Sequence, residues 1–318
     1  MSGVVVTAPA RLHFGMLDPL GFGGRRYGGI GVGVEAPRVV VAVSETRDEV
    51  RASGPQADRA ATFARRAVTS FGLGGGVAVD VREAIPAHSG LGSGTKLGLS
   101  IARGVAALHG ADPPPERLVE ASGRGARSSV GSWTFAEPGL VVEAGVSAAG
   151  AVSPLVARYP MPADWRCVLA LPRGVEGLSG DAEERFFGGL RVAGSAEPGI
   201  SRRVLTELLP GLLAADIEEF GAALTAIQRE VGGLFADRQG GVFHPRAAPL
   251  VDALARLGVG ALGQSSWGPA VYGIVDRPER AVAVAQRLRE APEAEGATVT
   301  AVDFDRRGAA VDRLEAGA

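Results

Sequence analysis

A strand that runs into a glycine-rich loop and straight out into a helix constrains this chain more than any other feature. The segment reads Ile85-Pro-Ala-His-Ser-Gly-Leu-Gly-Ser-Gly-Thr95. Upstream, Val77-Ala-Val-Asp-Val-Arg82 alternates as a half-buried strand does. Downstream, residues 95–109 have helical spacing that Gly110 and Pro113-Pro-Pro115 stop. Gly90, Gly92 and Gly94 let successive backbone N–H groups point inward as an anion nest, reinforced by the positive end of the helix dipole. Ser89, Ser93 and Thr95 flank Leu91 and offer hydroxyls to phosphate oxygens or to a metal. Lys96 puts a cation at the helix N-terminus, which is mildly unfavourable unless a polyanion binds there. The spacing is neither a Walker A loop nor a Rossmann fingerprint. It reads as a phosphate cradle of another kind.

The remaining sequence supplies two cores around this loop. A chain of 318 residues, 46% of them hydrophobic, has room for two domains of ~150 residues. Prolines and a tryptophan at 160–165 place the division between 1–160 and 161–318. Strands are expected at 4–7, 38–43, 77–82, 140–143, 166–171, 259–262, 270–275 and 297–302. Helices are expected at 57–71, 95–109, 181–188, 200–213, 216–231, 246–257 and 277–290. Without strict βαβ alternation, this mixture favours an α+β architecture over one doubly wound sheet. Glycine, at 47 residues, is about twice its usual ~7%. It gathers at 21–33, 90–94, 123–131 and 263–273, as if several loops met at one site.

A net charge of −2 gives no global field for nucleic acid or an anionic membrane, so neither is expected as a partner. Cys167, the only cysteine, sits in an apolar strand and reads as a core thiol in a reducing compartment. No apolar run approaches ~18 residues, and a cytoplasmic location is expected. His109 and His244 lie beside a helix end and a proline and read as structural.

The loop resembles the second motif of the GHMP small-molecule kinase superfamily, P-x-x-x-G-L-G-S-S-A. Pro86, Gly90, Leu91, Gly92 and Ser93 match in register, while Gly94-Thr95 replaces Ser-Ala. The resemblance implies an N-terminal domain like domain 2 of ribosomal protein S5, a C-terminal ferredoxin-like domain and a site in the cleft between them. Kinases of this superfamily carry a catalytic acid in the glycine-rich segment after the loop helix. The corresponding stretch here, 123–135, has no Asp or Glu and offers Arg124, Arg127, Ser128 and Ser129. Four segments together resemble one branch, the β-ribofuranosylaminobenzene 5′-phosphate synthases and the related C-nucleoside C-glycosynthases. They are Ala10-Arg-Leu-His-Phe-Gly-Met-Leu-Asp18, Gly24-Arg-Arg-Tyr-Gly-Gly-Ile-Gly31, the loop 89–95, and Gly263-Gln-Ser-Ser-Trp-Gly-Pro-Ala-Val-Tyr272.

Membership of that branch implies a decarboxylating transfer from 5-phosphoribosyl 1-diphosphate (PRPP) to an aromatic carboxylic acid, with Mg2+ as cofactor. The loop with Lys96 is then expected to hold diphosphate, with His88 as a further donor. Arg25, Arg26, Arg124 and Arg127 are candidates for the 5-phosphate and the acceptor carboxylate, since guanidinium forks suit both. Arg11 and His13 alternate on one face after the first strand, and His13 is a candidate contact to the acceptor or a leaving oxygen. Asp18 is either a metal ligand or a turn former before Pro19. Gln264, Ser265, Ser266 and Trp267 are expected to close the cleft, with Trp267 stacking on a ring. Gln239 and Trp133 are further candidates for its wall.

The acceptor stays open between a hydroxy- or aminobenzoate of a methanopterin-type pathway and an aminopyrazole carboxylate of a C-nucleoside antibiotic pathway. Lys96, as an extra cation, favours the latter slightly. The competing readings are an ATP-dependent sugar or isoprenoid kinase, with Asp18 supplying the acid, and a non-catalytic phosphate-ligand-binding regulator. The expected fold is compatible with a homodimer.

Overall fold

The structure, a computed structural model, describes residues 3–125, 128–147, 152–174 and 199–314. It is α+β and built on two sheets. Two long strands, β1 (Gly3–Gly15) and β2 (Gly29–Thr46), pair antiparallel along most of their length. The far end of β2 pairs with β4 (Gly76–Glu83), which pairs in parallel with β3 (Arg51–Ser53). The near end of β2 pairs instead with β5 (Leu140–Glu143), and β5 pairs with β6 (Leu155–Tyr159). Between the two ends, register shifts at Pro9/Ala10 and His13/Gly15 bend β1. His13 thus comes to lie where the chain turns out of the sheet.

Helices α1 (Ala57–Ser70) and α2 (Ser93–Leu108) cover the first sheet. Twelve of the sixteen residues of α2 are buried, so the helix that leaves the glycine loop forms the centre of this core. Two short helices, α3 (Pro115–Ser122) and α4 (Val130–Ala136), follow it. The sequence pattern shows neither. In α3 the proline run that ends one helix also starts the next, because proline suits the first helical position. In α4 the run of small, β-branched and aromatic residues has low intrinsic helix propensity, and tertiary packing overrides it.

The second sheet has the order β10-β7-β9-β8, with β7 (Arg166–Pro172), β8 (Ala261–Gln264), β9 (Val271–Val275) and β10 (Ala297–Asp303), all antiparallel. Period-two alternation sorts its faces. Val168 and Ala170 face helices 248–256 and 278–290, while Cys167, Leu169 and Tyr272 join the main core with Phe14 and Phe220. Cys167 is a buried core thiol, as its strand implied. The helix expected at 200–213 is present but passes through a π turn at Val204–Leu208. The long helix Ile217–Gln239 runs over the end of β1. The helix expected at 181–188 lies outside the described residues. The last strand, β11 (Ala310–Leu314), crosses back and pairs with β1. The second sheet is therefore contained within 166–303, and residues 310–314 belong to the first.

Close approach at one glycine fixes how α4 meets the sheet. A Cβ on Gly31 would lie 2.2 Å from the Leu12 carbonyl oxygen and 2.6 Å from Val130 Cγ1. Gly31→Ala is therefore expected to cost about 1–3 kcal/mol, as overpacked sites do. Gly74→Ala, where a Cβ meets nothing within 4 Å, is expected to be near neutral. Urea unfolding of the two variants checks the difference.

Candidate active site

Three segments far apart in sequence are laced together at the loop. Its backbone turns through positive φ at His88, Gly90 and Gly92 before α2 begins at Ser93. A Cβ on Gly90 would lie 2.3 Å from the Ser265 carbonyl oxygen, so only glycine lets segment 264–270 approach. Ser265 Oγ donates to Gly90 O (2.7 Å) and accepts from His13 N–H (3.0 Å). Ser266 N–H donates to His13 O (3.2 Å), and Ala270 N–H to Ser89 O (3.1 Å). Arg11 joins through N–H to Leu91 O (3.2 Å) and through Nη1 to Gly90 O. Ser89 Oγ closes the loop on Pro86 O (2.7 Å), and Leu91 is buried beneath it. Two of the four glycine clusters, the loop and segment 263–273, meet here against β1, and cluster 123–131 approaches the start of α2 through Arg124 and Gly131.

The opening turn of α2 has no side-chain cap, and guanidinium groups approach it. Where Gly94 would carry a Cβ, Arg59 Nη2 is 2.6 Å away and Arg124 Nη2 3.5 Å. Arg59 is oriented by Gln56, whose Oε1 accepts from Nη1 (2.6 Å) while its Nε2 donates to Ile85 O (3.0 Å). Burial holds the Arg59 pKa below the usual arginine value. An unfilled helix N-terminus beside two guanidiniums suits a polyanion. Nothing in the sequence singled out Arg59, because an arginine on an amphipathic helix looks like any solvated one.

Lys96 departs from expectation. It is fully buried, with Nζ donating to Thr134 Oγ1 (3.1 Å) and lying 5.8 Å from the centre of the Phe135 ring. Burial drives its pKa well below the lysine norm, opposed by the charge of Asp305 and assisted by that of Arg11. Its ammonium is thus enclosed beside Thr134 and Phe135, within the electrostatic reach of Arg11. Arg25 and Arg26 lie on the exposed turn 18–27, Arg25 Nη1 donating to Gly145 O (3.1 Å) and Arg26 standing over Tyr27. His88, Ser93 and Thr95 stay on the loop and first turn. Arg127 lies outside the described residues.

Asp18 is the turn former. Its Oδ1 accepts from Gly21 N–H (2.6 Å) and its Oδ2 from Gly23 N–H (2.8 Å), which occupies both oxygens in backbone contacts. Among the described residues no group of three His, Cys, Asp or Glu side chains could hold a metal.

His13 sits at the end of a buried hydrogen-bond chain. Its Nε2 is 3.1 Å from Ser128 Oγ, which donates to Glu143 Oε1 (2.9 Å) and accepts from Val130 N–H (3.3 Å). Ser129 N–H also donates to Glu143 Oε1 (2.9 Å). Burial raises the Glu143 pKa, and the surrounding hydrogen bonds partly offset this. Burial, with a smaller contribution from Arg11, lowers the His13 pKa to about 3. Ser128, expected at the substrate, has its hydroxyl committed to this chain. Sequence reading passed over Glu143, which looks like the polar end of an ordinary strand.

Beyond His13 lies a small cavity of about 30 Å³. Met16, Phe235, Phe243 and Trp267 supply apolar wall, with the Phe235 and Trp267 ring centroids 4.7 Å apart. Gln228, Gln239, Gln264 and Ser266 supply its polar edge. The glutamines restrain one another: Gln228 Oε1 accepts from Gln264 N–H (2.7 Å), and Gln264 Nε2 donates to Gln239 Oε1 (3.3 Å) and Ser266 O (3.0 Å). No carboxylate, lysine or arginine lines this cavity among the described residues. Trp133 is not among its walls and instead donates from Nε1 to Ser153 O (2.8 Å).

Two measurements check this geometry. Arg59→Ala is expected to weaken binding of inorganic pyrophosphate about tenfold, the scale of a charge-assisted hydrogen bond, while Lys96→Met leaves it within about twofold. Calorimetric titration reads both. Separately, a histidine in the unfolded chain takes up its proton near pH 6.5, but folded His13 does so only near pH 3. The unfolded state then holds the extra proton between those values, so stability falls as pH drops through the window. At pH 5 this amounts to about 2 kcal/mol. Unfolding at pH 7 and pH 5 is expected to show a smaller difference in His13→Gln.

Comparison with known proteins agrees with this geometry. The GHMP kinases N terminal domain matches residues 57–133 and the GHMP kinases C terminal domain matches 208–294. Homoserine kinase from Cytophaga hutchinsonii superposes with a TM-score of 0.72 at 17% identity, covering 98% of this chain and 97% of that one. Mevalonate kinase from Methanococcus jannaschii superposes at 0.69 with 11% identity, covering 95% and 98%. These likenesses establish the fold. In sequence, beta-ribofuranosylphenol 5'-phosphate synthase of Methanothermobacter thermautotrophicus is 31% identical over 295 residues, 86% of this chain and 89% of that protein. The Archaeoglobus fulgidus protein of the same name is 32% identical over 282 residues, 84% and 86%. The chain therefore belongs to the β-ribofuranosylphenol 5′-phosphate synthase family, a branch of the GHMP kinase superfamily.

Proposed function

We propose that this protein is a PRPP-dependent, decarboxylating C-ribosyltransferase that joins C1 of ribose 5-phosphate to an aromatic carboxylic acid. The observation that carries this reading is an aromatic cavity without a carboxylate, set beside a cradle for a polyanion. A kinase acting on an alcohol needs a carboxylate to position or deprotonate the hydroxyl. Asp18, the candidate for that role, accepts from the Gly21 and Gly23 N–H groups and is not among the residues lining the cavity.

The proposed chemistry asks for what these residues offer. The C1–oxygen bond of PRPP breaks and diphosphate departs with the electron pair, leaving oxocarbenium character at C1. The ring carbon bearing the carboxylate attacks C1 and forms the carbon–carbon bond. The bond to the carboxylate then breaks, its electrons restore aromaticity, and CO2 leaves, so no strong base is required. The uncapped turn of α2, with Arg59 and Arg124, stabilises the departing diphosphate. Met16, Phe235, Phe243 and Trp267 hold the ring, and an uncharged wall favours conversion of a carboxylate to neutral CO2. Mg2+ enters this scheme as the counter-ion of the diphosphate substrate.

The relatives are named for a ribofuranosylphenol product, which favours 4-hydroxybenzoate, of the methanopterin-type pathway, as acceptor. Lys96, the residue that favoured an aminopyrazole carboxylate, is fully buried and engaged with Thr134, which weakens that preference. Incubation with PRPP, Mg2+ and a panel of 4-hydroxybenzoate, 4-aminobenzoate and an aminopyrazole carboxylate tests the proposal. Equimolar diphosphate and CO2 are expected, greatest with 4-hydroxybenzoate. Release of neither, with ATP consumed by a small alcohol, would show a kinase; binding of PRPP without turnover would show a regulator.

A further inference from the structure

The buried chain from Glu143 to His13 carries an inference about which proton each atom holds. Ser128 has one hydroxyl proton and two acceptor positions. The proton goes to Glu143 Oε1, and Val130 N–H occupies one acceptor position. The remaining contact, 3.1 Å from His13 Nε2, then requires that Nε2 carry the proton. This assignment follows for Glu143 as a carboxylate, whose Oε1 accepts from both Ser128 Oγ and Ser129 N–H.

A neutral imidazole with its proton on Nε2 has a bare lone pair on Nδ1. That atom makes no hydrogen bond to any described residue, and the His13 ring lines the aromatic cavity. The backbone of His13 is clamped on both sides by Ser265 and Ser266. Gly29 is required for the arrangement: a Cβ there would lie 2.8 Å from Glu143 Oε1 and 3.3 Å from His13 Nε2.

We propose that Glu143, acting through Ser128, is a positioning residue that holds His13 with Nε2 protonated, so that Nδ1 accepts a hydrogen bond from a hydroxyl or amino substituent of the aromatic acceptor. The acceptor class is then an arene bearing an O–H or N–H donor. Accepting that hydrogen bond increases electron donation from the substituent into the ring. The ring carbon that bonds to C1 becomes more nucleophilic, while the proton stays on the substituent. This rests on the proposed acceptor site, but the state of the imidazole does not depend on turnover.

The test is therefore in two arms. In the protein labelled with 15N-histidine, which has four histidines, the His13 signals are assigned by their loss in His13→Gln. They are expected to show a bare Nδ1 and an Nε2 proton that exchanges slowly with water. Ser128→Ala and Glu143→Leu are expected to accelerate that exchange at least tenfold, whereas Glu143→Gln, which keeps an acceptor oxygen, retains it. A proton on Nδ1 in the wild-type protein overturns the proposal even if Ser128→Ala and Glu143→Leu fail to fold, as does unchanged exchange in both of them. In the second arm, calorimetry compares 4-hydroxybenzoate with benzoate. The wild type is expected to prefer the hydroxylated ring about tenfold, the scale of one hydrogen bond, and Ser128→Ala to lose that preference. Equal affinity of the wild type for both acids overturns the substituent contact. Slow Nε2 exchange without PRPP turnover would remove the C-ribosyltransferase reading and leave the positioning role standing.

Discussion

One buried hydroxyl joins the parts of this site. Ser265 Oγ accepts from the His13 amide and donates to the Gly90 carbonyl, linking the turn of β1, the glycine loop and the exit of β8. Those positions are separated by 252 and 175 residues of chain. Both hydrogen bonds are buried or partly buried, so leaving either partner unsatisfied costs its desolvation as well as the bond. The two sheets share apolar core beside this seam, Phe14 packing with Leu91, Ala270 and Tyr272 in one cluster, and the serine adds a polar tie that helps fix the separation of the loops.

That separation is possible only because backbone meets backbone. Gly90 admits the Ser265 carbonyl, Gly31 admits α4 and the Leu12 carbonyl, and Gly29 admits Glu143. The glycine excess of the sequence is thus concentrated where strands, loop and short helix crowd together. It does not signify flexibility. These glycines pack, and the residues they admit are held by Ser265, Ser128 and the glutamine network.

The parts legible in the sequence were those with a local signature. Strand, loop and helix at 77–109 were readable as such, and the segment 263–272 announced the branch, because turn chemistry and periodicity are written in neighbouring residues. The direction of a side chain is not written that way. Lys96 follows the loop by one residue and yet points into the core toward Thr134 and Phe135. Asp18 has the residue type of a metal ligand, and its carboxylate also organises the turn through the Gly21 and Gly23 N–H groups. Arg59 and Glu143 come from elements whose local pattern is unremarked. They reach the site only through packing, α1 against α2 and β5 against β2. Short helices such as α4 escaped for the same reason, being stabilised by what they pack on more than by their own residues.

The site that results separates charge from neutrality across one segment, 264–268. On the loop side lie an uncapped helix N-terminus and two guanidiniums, a field suited to a leaving polyanion and strongest where water is scarce. On the cavity side the wall is aromatic and amide, with one imidazole whose burial keeps it uncharged at neutral pH. A kinase built on this fold would need negative charge close to the attacking hydroxyl. A reaction that breaks a bond to diphosphate while losing neutral CO2 needs the opposite on each side: cations for the departing anion, and a low-dielectric surface where a carboxylate is the less favoured state. The uncharged cavity is thus as much a part of the proposed chemistry as the cradle, and Ser265 is what holds the two in contact.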